Sequence, residues 1–88
     1  MLGSISITVE YDEGLGMITG TGSEPCIMSE GSTFEWLFNN IHSSHPEIFK
    51  KYKPGELGFL LNGKPIDRPV VVLMDGDVVK FYVILSPE

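Results

Sequence analysis

A single cysteine, Cys26, cannot close an internal disulfide, so folding does not depend on an oxidising compartment. Cations are also scarce: Lys and Arg number 6 against 12 Asp and Glu, a formal net charge of −6. Affinity for nucleic acid comes mostly from Lys and Arg neutralising phosphates, and apart from "KKYK" at 50–53 the cations are scattered. Nucleic acid and anionic membrane surfaces are therefore disfavoured, and a basic protein partner suits the charge better. No apolar run approaches membrane-spanning length, and the opening "MLGSISITVEY" has no basic region followed by an apolar one. A soluble cytoplasmic protein is expected. The length of 88 residues leaves room for one core, hence a single domain over 1–88.

Against these absences stands strong local patterning. In "SISITVEY" (4–11), Ile5, Ile7, Val9 and Tyr11 share one face and Ser4, Ser6, Thr8 and Glu10 the other. That period of two marks a half-buried strand. The glycine-rich stretch 12–24 reads as a flexible hairpin connection closed by Pro25, and "CIMSE" as a short second strand. A helix start follows, with Ser32 as cap and Glu35 completing a capping box. Phe34, Leu37, Phe38 and Ile41 form the stripe this helix would bury. Ser43, Ser44 and Pro46 end it, and "EIFKKYKPGE" reads as a loop with room for one further helical turn. "LGFLL" is a third strand and Asn62-Gly63 a hairpin turn. "KPID" is an edge strand that tolerates Pro65. "RPVVVLM" then leads through Asp75-Gly76-Asp77 into a final strand over 78–85.

Two long strands thus lie at opposite ends of the chain with a helix between them. Right-handed crossover logic places them side by side and parallel at the centre of a sheet, with the helix across one face. The expected class is α+β: a ubiquitin-like β-grasp with a mixed sheet of four to five strands and one helix.

"FLLNGKPI" followed by "VLMDGDVVKFYVILSPE" resembles the sulfur-carrier branch of that architecture, the molybdopterin synthase small subunit and the thiamine-pathway sulfur carrier. The matching positions are Asn62, Gly63, Leu73, Gly76, Asp77, Val79 and Phe81, and "STFEWLFNNI" and "HPEIF" also look like the middle of the family. The resemblance implies a small protein that is not itself a catalyst. It also implies a larger synthase subunit or an activating enzyme as partner. Family members end in Gly-Gly, whose terminal carboxylate is converted to a thiocarboxylate. In this sequence Pro87-Glu88 stand at that spacing, so Ser86, Pro87 and Glu88 form an atypical tail. "IH" at 41–42 and "GDVV" at 76–79 also look like RNA-associated β-grasp modules, against which the acidic charge weighs.

Candidate chemistry is sparse. "GLGMITGTG" (14–22) has no lysine and no helix start immediately after it, so a phosphate loop is disfavoured. His42 and His45 are too few for a metal site, Cys26 reads as a small buried hydrophobe, and Asp75 and Asp77 fit turn chemistry. No nucleophile–base pair emerges; neither enzymatic activity nor a metal or cofactor is expected. Two features call for a partner instead. Trp36 falls opposite the helix stripe, to be covered by 12–24 or to serve as an exposed anchor. The last strand is apolar on both faces, with Val79, Phe81, Val83 and Leu85 on one and Val78, Tyr82 and Ile84 on the other, broken by Lys80. A patch at Val78, Tyr82 and Ile84 on the open sheet face would bind a protein or a second copy of the chain.

Overall fold

A computed structural model describes residues 3–84. The first strand, β1 (Ser4–Tyr11), alternates exposed and buried residues along its whole length, which sends Ile5, Ile7, Val9 and Tyr11 into the core. β2 (Ser23–Ser29) pairs antiparallel with β1 and contributes Cys26 and Met28. It starts earlier than "CIMSE" suggested, because Pro25 lies inside it rather than closing a turn. Pro25 faces Thr8, whose amide donates instead to the Asp77 carbonyl on the far side of β1. The N–H that proline lacks would therefore point off the free sheet edge, where no ladder bond is lost.

The connection between these strands is a helix, not the flexible loop its glycines suggested. In α1 (Glu13–Thr19) the Asp12 carboxylate caps the start by accepting the Leu15 amide at 2.8 Å, and Gly20 ends it at φ 83°. Gly14 and Gly16 weaken the intrinsic helix preference, and the complete burial of Leu15, on a helix packed against β5 and the third helix, overrides them.

α2 (Phe34–Ser44) buries Phe34, Leu37 and Ile41 as its stripe required, with Phe38 partly covered. Its start corrects the capping-box reading. Thr33, not Ser32, is the cap residue, and no side chain caps the helix. The amides of Phe34 and Glu35 donate instead to the carbonyls of Val71 and Pro69, at 2.9 and 3.0 Å. A distant extended segment thus satisfies donors for which the sequence offered a local hydroxyl. The supposed loop after α2 contains α3 (Pro46–Lys51), which buries Ile48, and a 3₁₀ turn at Pro54–Glu56.

β3 (Leu57–Leu61) turns through Asn62 (φ 50°) and Gly63 (φ 87°) into β4 (Lys64–Pro65), and β5 (Val78–Val83) closes the sheet in the order β2-β1-β5-β3-β4. β5 is central and runs parallel to β1. The expected strand to residue 85 ends at Val83, and Leu85 lies outside the described residues. Two turns fix where β5 begins. The Asn62 side-chain Nδ2 donates to the Asp77 carboxylate and its Oδ1 accepts the Val78 backbone amide, both at 2.9 Å. Asp77 also accepts from Met74 and Asp75 from Ser6, both at 2.8 Å. The acidic turn is therefore structural, as its Asp-Gly-Asp composition suggested. Phe81 is fully buried, with Phe59 5.0 Å away centroid to centroid and Phe34 6.2 Å away.

Candidate protein-interaction surface

Successive residues of a strand face opposite sides, so burial of Val79 and Phe81 sends Val78, Lys80 and Tyr82 to the side without helices. Directly opposite residues share that side. Thr8 flanks Val78, Glu10 and Leu60 flank Lys80, and Gly58 faces Tyr82. The outer end of the Tyr82 ring lies against Gly58, so closely that a Cβ there would stand 2.2 Å from Tyr82 Cζ. Glycine is needed at 58 for this approach, and the tyrosine in turn covers its backbone. The result is a half-buried, mostly apolar strip, Val78–Tyr82 with Leu60, crossed by one cation and one carboxylate.

Ile84 continues the same alternation and is 44% exposed. Two bonds fix the chain at this point. The Val83 amide donates to the second carboxylate oxygen of Asp12, and the Ile84 amide to the Glu56 carbonyl, both at 2.8 Å. Asp12 thus caps α1 and clamps the end of β5 at once. Ser86, Pro87 and Glu88 lie outside the described residues.

Trp36 is exposed on α2, so α1 does not cover it. α2 packs on the opposite side of the sheet, which separates Trp36 from Val78, Tyr82 and Ile84. The four residues do not form one surface. Gly58, Leu60 and Asp12 escaped the sequence reading, although period two in "LGFLL" already put Gly58 and Leu60 on one face.

The remaining polar candidates lie on the covered side. Asn40 donates to the Cys26 sulfur at 3.3 Å, and burial pushes the thiol pKa up despite that bond, away from nucleophilic character. The Tyr11 hydroxyl donates to Glu24 at 2.6 Å, and His45 Nε2 lies 2.7 Å from the same oxygen. Burial, then the Glu24 bond, raises the Tyr11 pKa far above the usual phenol range. His42 stacks on Phe49 at 4.5 Å, so the two histidines point to different partners. Among the described residues no three His, Cys, Asp or Glu side chains gather to hold a metal, and no helix is long and apolar enough to cross a membrane.

No family profile and no curated protein matches the chain. Solved structures do. A protein assigned as subunit 1 of molybdopterin converting factor from Pyrococcus furiosus superposes with a TM-score of 0.78 at 24% identity, covering 92% of this chain and 99% of that one. Small archaeal modifier protein 1 from Methanosarcina acetivorans gives 0.78 at 16% identity, covering 98% and 99%. One chain of the complex of molybdopterin-converting factor subunits 1 and 2 from Helicobacter pylori gives 0.64 at 20% identity, covering 96% and 100%. The fold is a ubiquitin-like β-grasp. The structural likeness is to a molybdopterin converting factor subunit and an archaeal modifier protein, in line with the resemblance read from the sequence. Against the expected β-grasp with one helix, this chain adds α1 and α3 beside α2, with α1 and Asp12 bracing the end of β5.

Proposed function

We infer that the chain is a non-catalytic ubiquitin-like module that binds a protein through the open face of its sheet. The observation that carries this reading is the apolar strip of half-buried Val78 and Tyr82 with exposed Ile84, beside a fully formed core. A clamped strand end presents Ile84 rigidly, which lowers the ordering cost of binding. The complex of the Helicobacter pylori subunits supports protein partnering as the mode of action. Tyr82→Ala combined with Ile84→Ser should abolish association with the partner, or with a second copy, while circular dichroism shows the fold intact. Association unchanged in the double variant would overturn the assignment of the strip.

A second reading is favoured by the likeness to molybdopterin converting factor subunit 1: a working sulfur carrier with an atypical tail at Ser86, Pro87 and Glu88. Intact-mass analysis of protein from its native host separates the two. An oxygen-to-sulfur exchange at the carboxyl terminus, or conjugation through Glu88, would establish the carrier. An unmodified mass alongside retained partner binding would establish the binding module.

A further inference from the structure

Residues 70–74, "VVVLM", leave a turn at Pro69-Val70, pass beside the start of α2 and lead into the acidic turn. Their side chains alternate: Leu73 is 1% exposed and Val71 half-buried, while Val70, Val72 and Met74 are 64%, 50% and 64% exposed. The backbone is one-sided in the same way. Thr33 and Val72 form an isolated antiparallel bridge, in which the Phe34 amide donates to the Val71 carbonyl and the Leu73 amide to the Ser32 carbonyl. Strand geometry then turns the N–H and C=O of Val72 away from α2. Neither has an intramolecular partner among the described residues.

We propose that this free edge is a second docking surface, distinct from the open sheet face, which takes an extended segment of a partner protein by strand addition. Two features select the occupant. The open N–H and C=O of Val72, flanked by alternating apolar side chains, fit one pairing position of another extended strand with apolar residues at every second position, because the Met74 N–H and C=O are already bonded to Asp77. Acidic residues flank the ridge in sequence, Asp67 before Val70 and Asp75 after Met74, and the backbone amide of a third, Glu35, donates a hydrogen bond to the Pro69 carbonyl. The cation next to the ridge in sequence, Arg68, lies 3.9 Å from Asp67. The segment therefore carries Lys or Arg on its flanks. A second copy of this chain would set carboxylates against carboxylates, which disfavours self-pairing at this edge.

The probe is a synthetic peptide of alternating Val and Thr with two Lys at each end, titrated into the intact protein. Hydrogen exchange and amide chemical shifts report the site, and Trp36 is the sole tryptophan reporter. The expected result is protection of the Val72 amide, with binding weakened about tenfold or more by alternate N-methylation of the peptide or by Glu flanks in place of Lys. Val72→Pro should abolish binding, since it removes the free donor while sparing the bonds through Val71 and Leu73. Val72→Thr with Met74→Gln, which leaves the backbone untouched, should weaken it. The absence of binding, equal binding of the N-methylated peptide, or protection at Tyr82 instead of Val72 would each overturn the proposal. So would concentration-dependent dimerisation that protects this edge. Because Tyr82→Ala with Ile84→Ser should leave this binding unchanged, failure here is distinguishable from failure of the open-face reading.

Discussion

The two faces of β5 are built from adjacent residues and have different duties. Val79 and Phe81 are fully buried, enclosed by β-branched residues of β1 and by the aromatic cluster of Phe34 and Phe59. Val78, Lys80 and Tyr82, one position away, are only half covered, and what shields them comes from within the sheet. A central strand has both neighbours supplied by backbone pairing, so its hydrogen bonding is complete whatever its outer face carries. That freedom allows the outer face to be chosen for contact while the inner face sets stability. The comparison predicts that equal truncations on the two faces have unequal consequences.

The largest effect belongs to the covered face. Phe81→Ala removes a fully buried ring that Tyr11, Phe34 and Phe59 all touch. The expected loss is about 3–5 kcal/mol, a large share of what a small domain possesses. Urea denaturation would register it as a fall in midpoint. A loss below about 1 kcal/mol would mean the cluster can collapse around the gap, and the contrast between faces would weaken.

A middle-sized effect comes from the polar group hidden on that same face. The Tyr11 pKa is raised first by burial and then by its bond to Glu24, so the folded state holds the phenol proton more tightly than the unfolded chain does. The sign follows: this stability is fully present below the ordinary phenol pKa of about 10 and is lost as pH rises above it. Tyr11→Phe should cost about 1 kcal/mol at neutral pH through the lost bond to Glu24. It should also make the alkaline decline shallower by one proton, measured as thermal stability against pH. An unchanged alkaline slope would show that Tyr11 is not the group being titrated.

How far the sequence foretold this structure depends on whether the deciding partners were local. β1, the stripe of α2, the Asn-Gly turn and the Asp-Gly-Asp turn were legible because side-chain period and turn chemistry act within a few residues. The central place of β5 followed from topology alone. α1 was hidden because its stability comes from burying Leu15 among residues remote in sequence, against the local vote of Gly14 and Gly16. The capping box failed for the same reason: Ser32 and Glu35 satisfy the pattern, yet the donors find the carbonyls of Pro69 and Val71. At the candidate surface, alternation placed Val78 and Tyr82 correctly on one face but gave no hint that Gly58 lies beneath the ring. The helical period put Trp36 opposite the buried stripe but left open whether 12–24 would cover it, and it stands exposed.

The smallest effect on stability is expected on the open face, and there the comparison is tested most sharply. Tyr82 stands partly in solvent, so Tyr82→Ala gives up a half-buried contact that includes Gly58, about 1 kcal/mol. Gly58→Ala approaches the same contact from below. Its new methyl would meet the outer end of the half-buried Tyr82 ring, the far end of a side chain, which would have to swing aside. The backbone should hold and the ring should move, with a cost of about 1 kcal/mol or less and a changed near-ultraviolet signal from the tyrosine. Because the strip's shape depends on that ring, binding through the open face should fall much further than stability does. Gly58→Ala thus separates contact from folding at one position. A large loss of stability would mean that the tyrosine is clamped as tightly as Phe81 and that both faces of β5 serve the core.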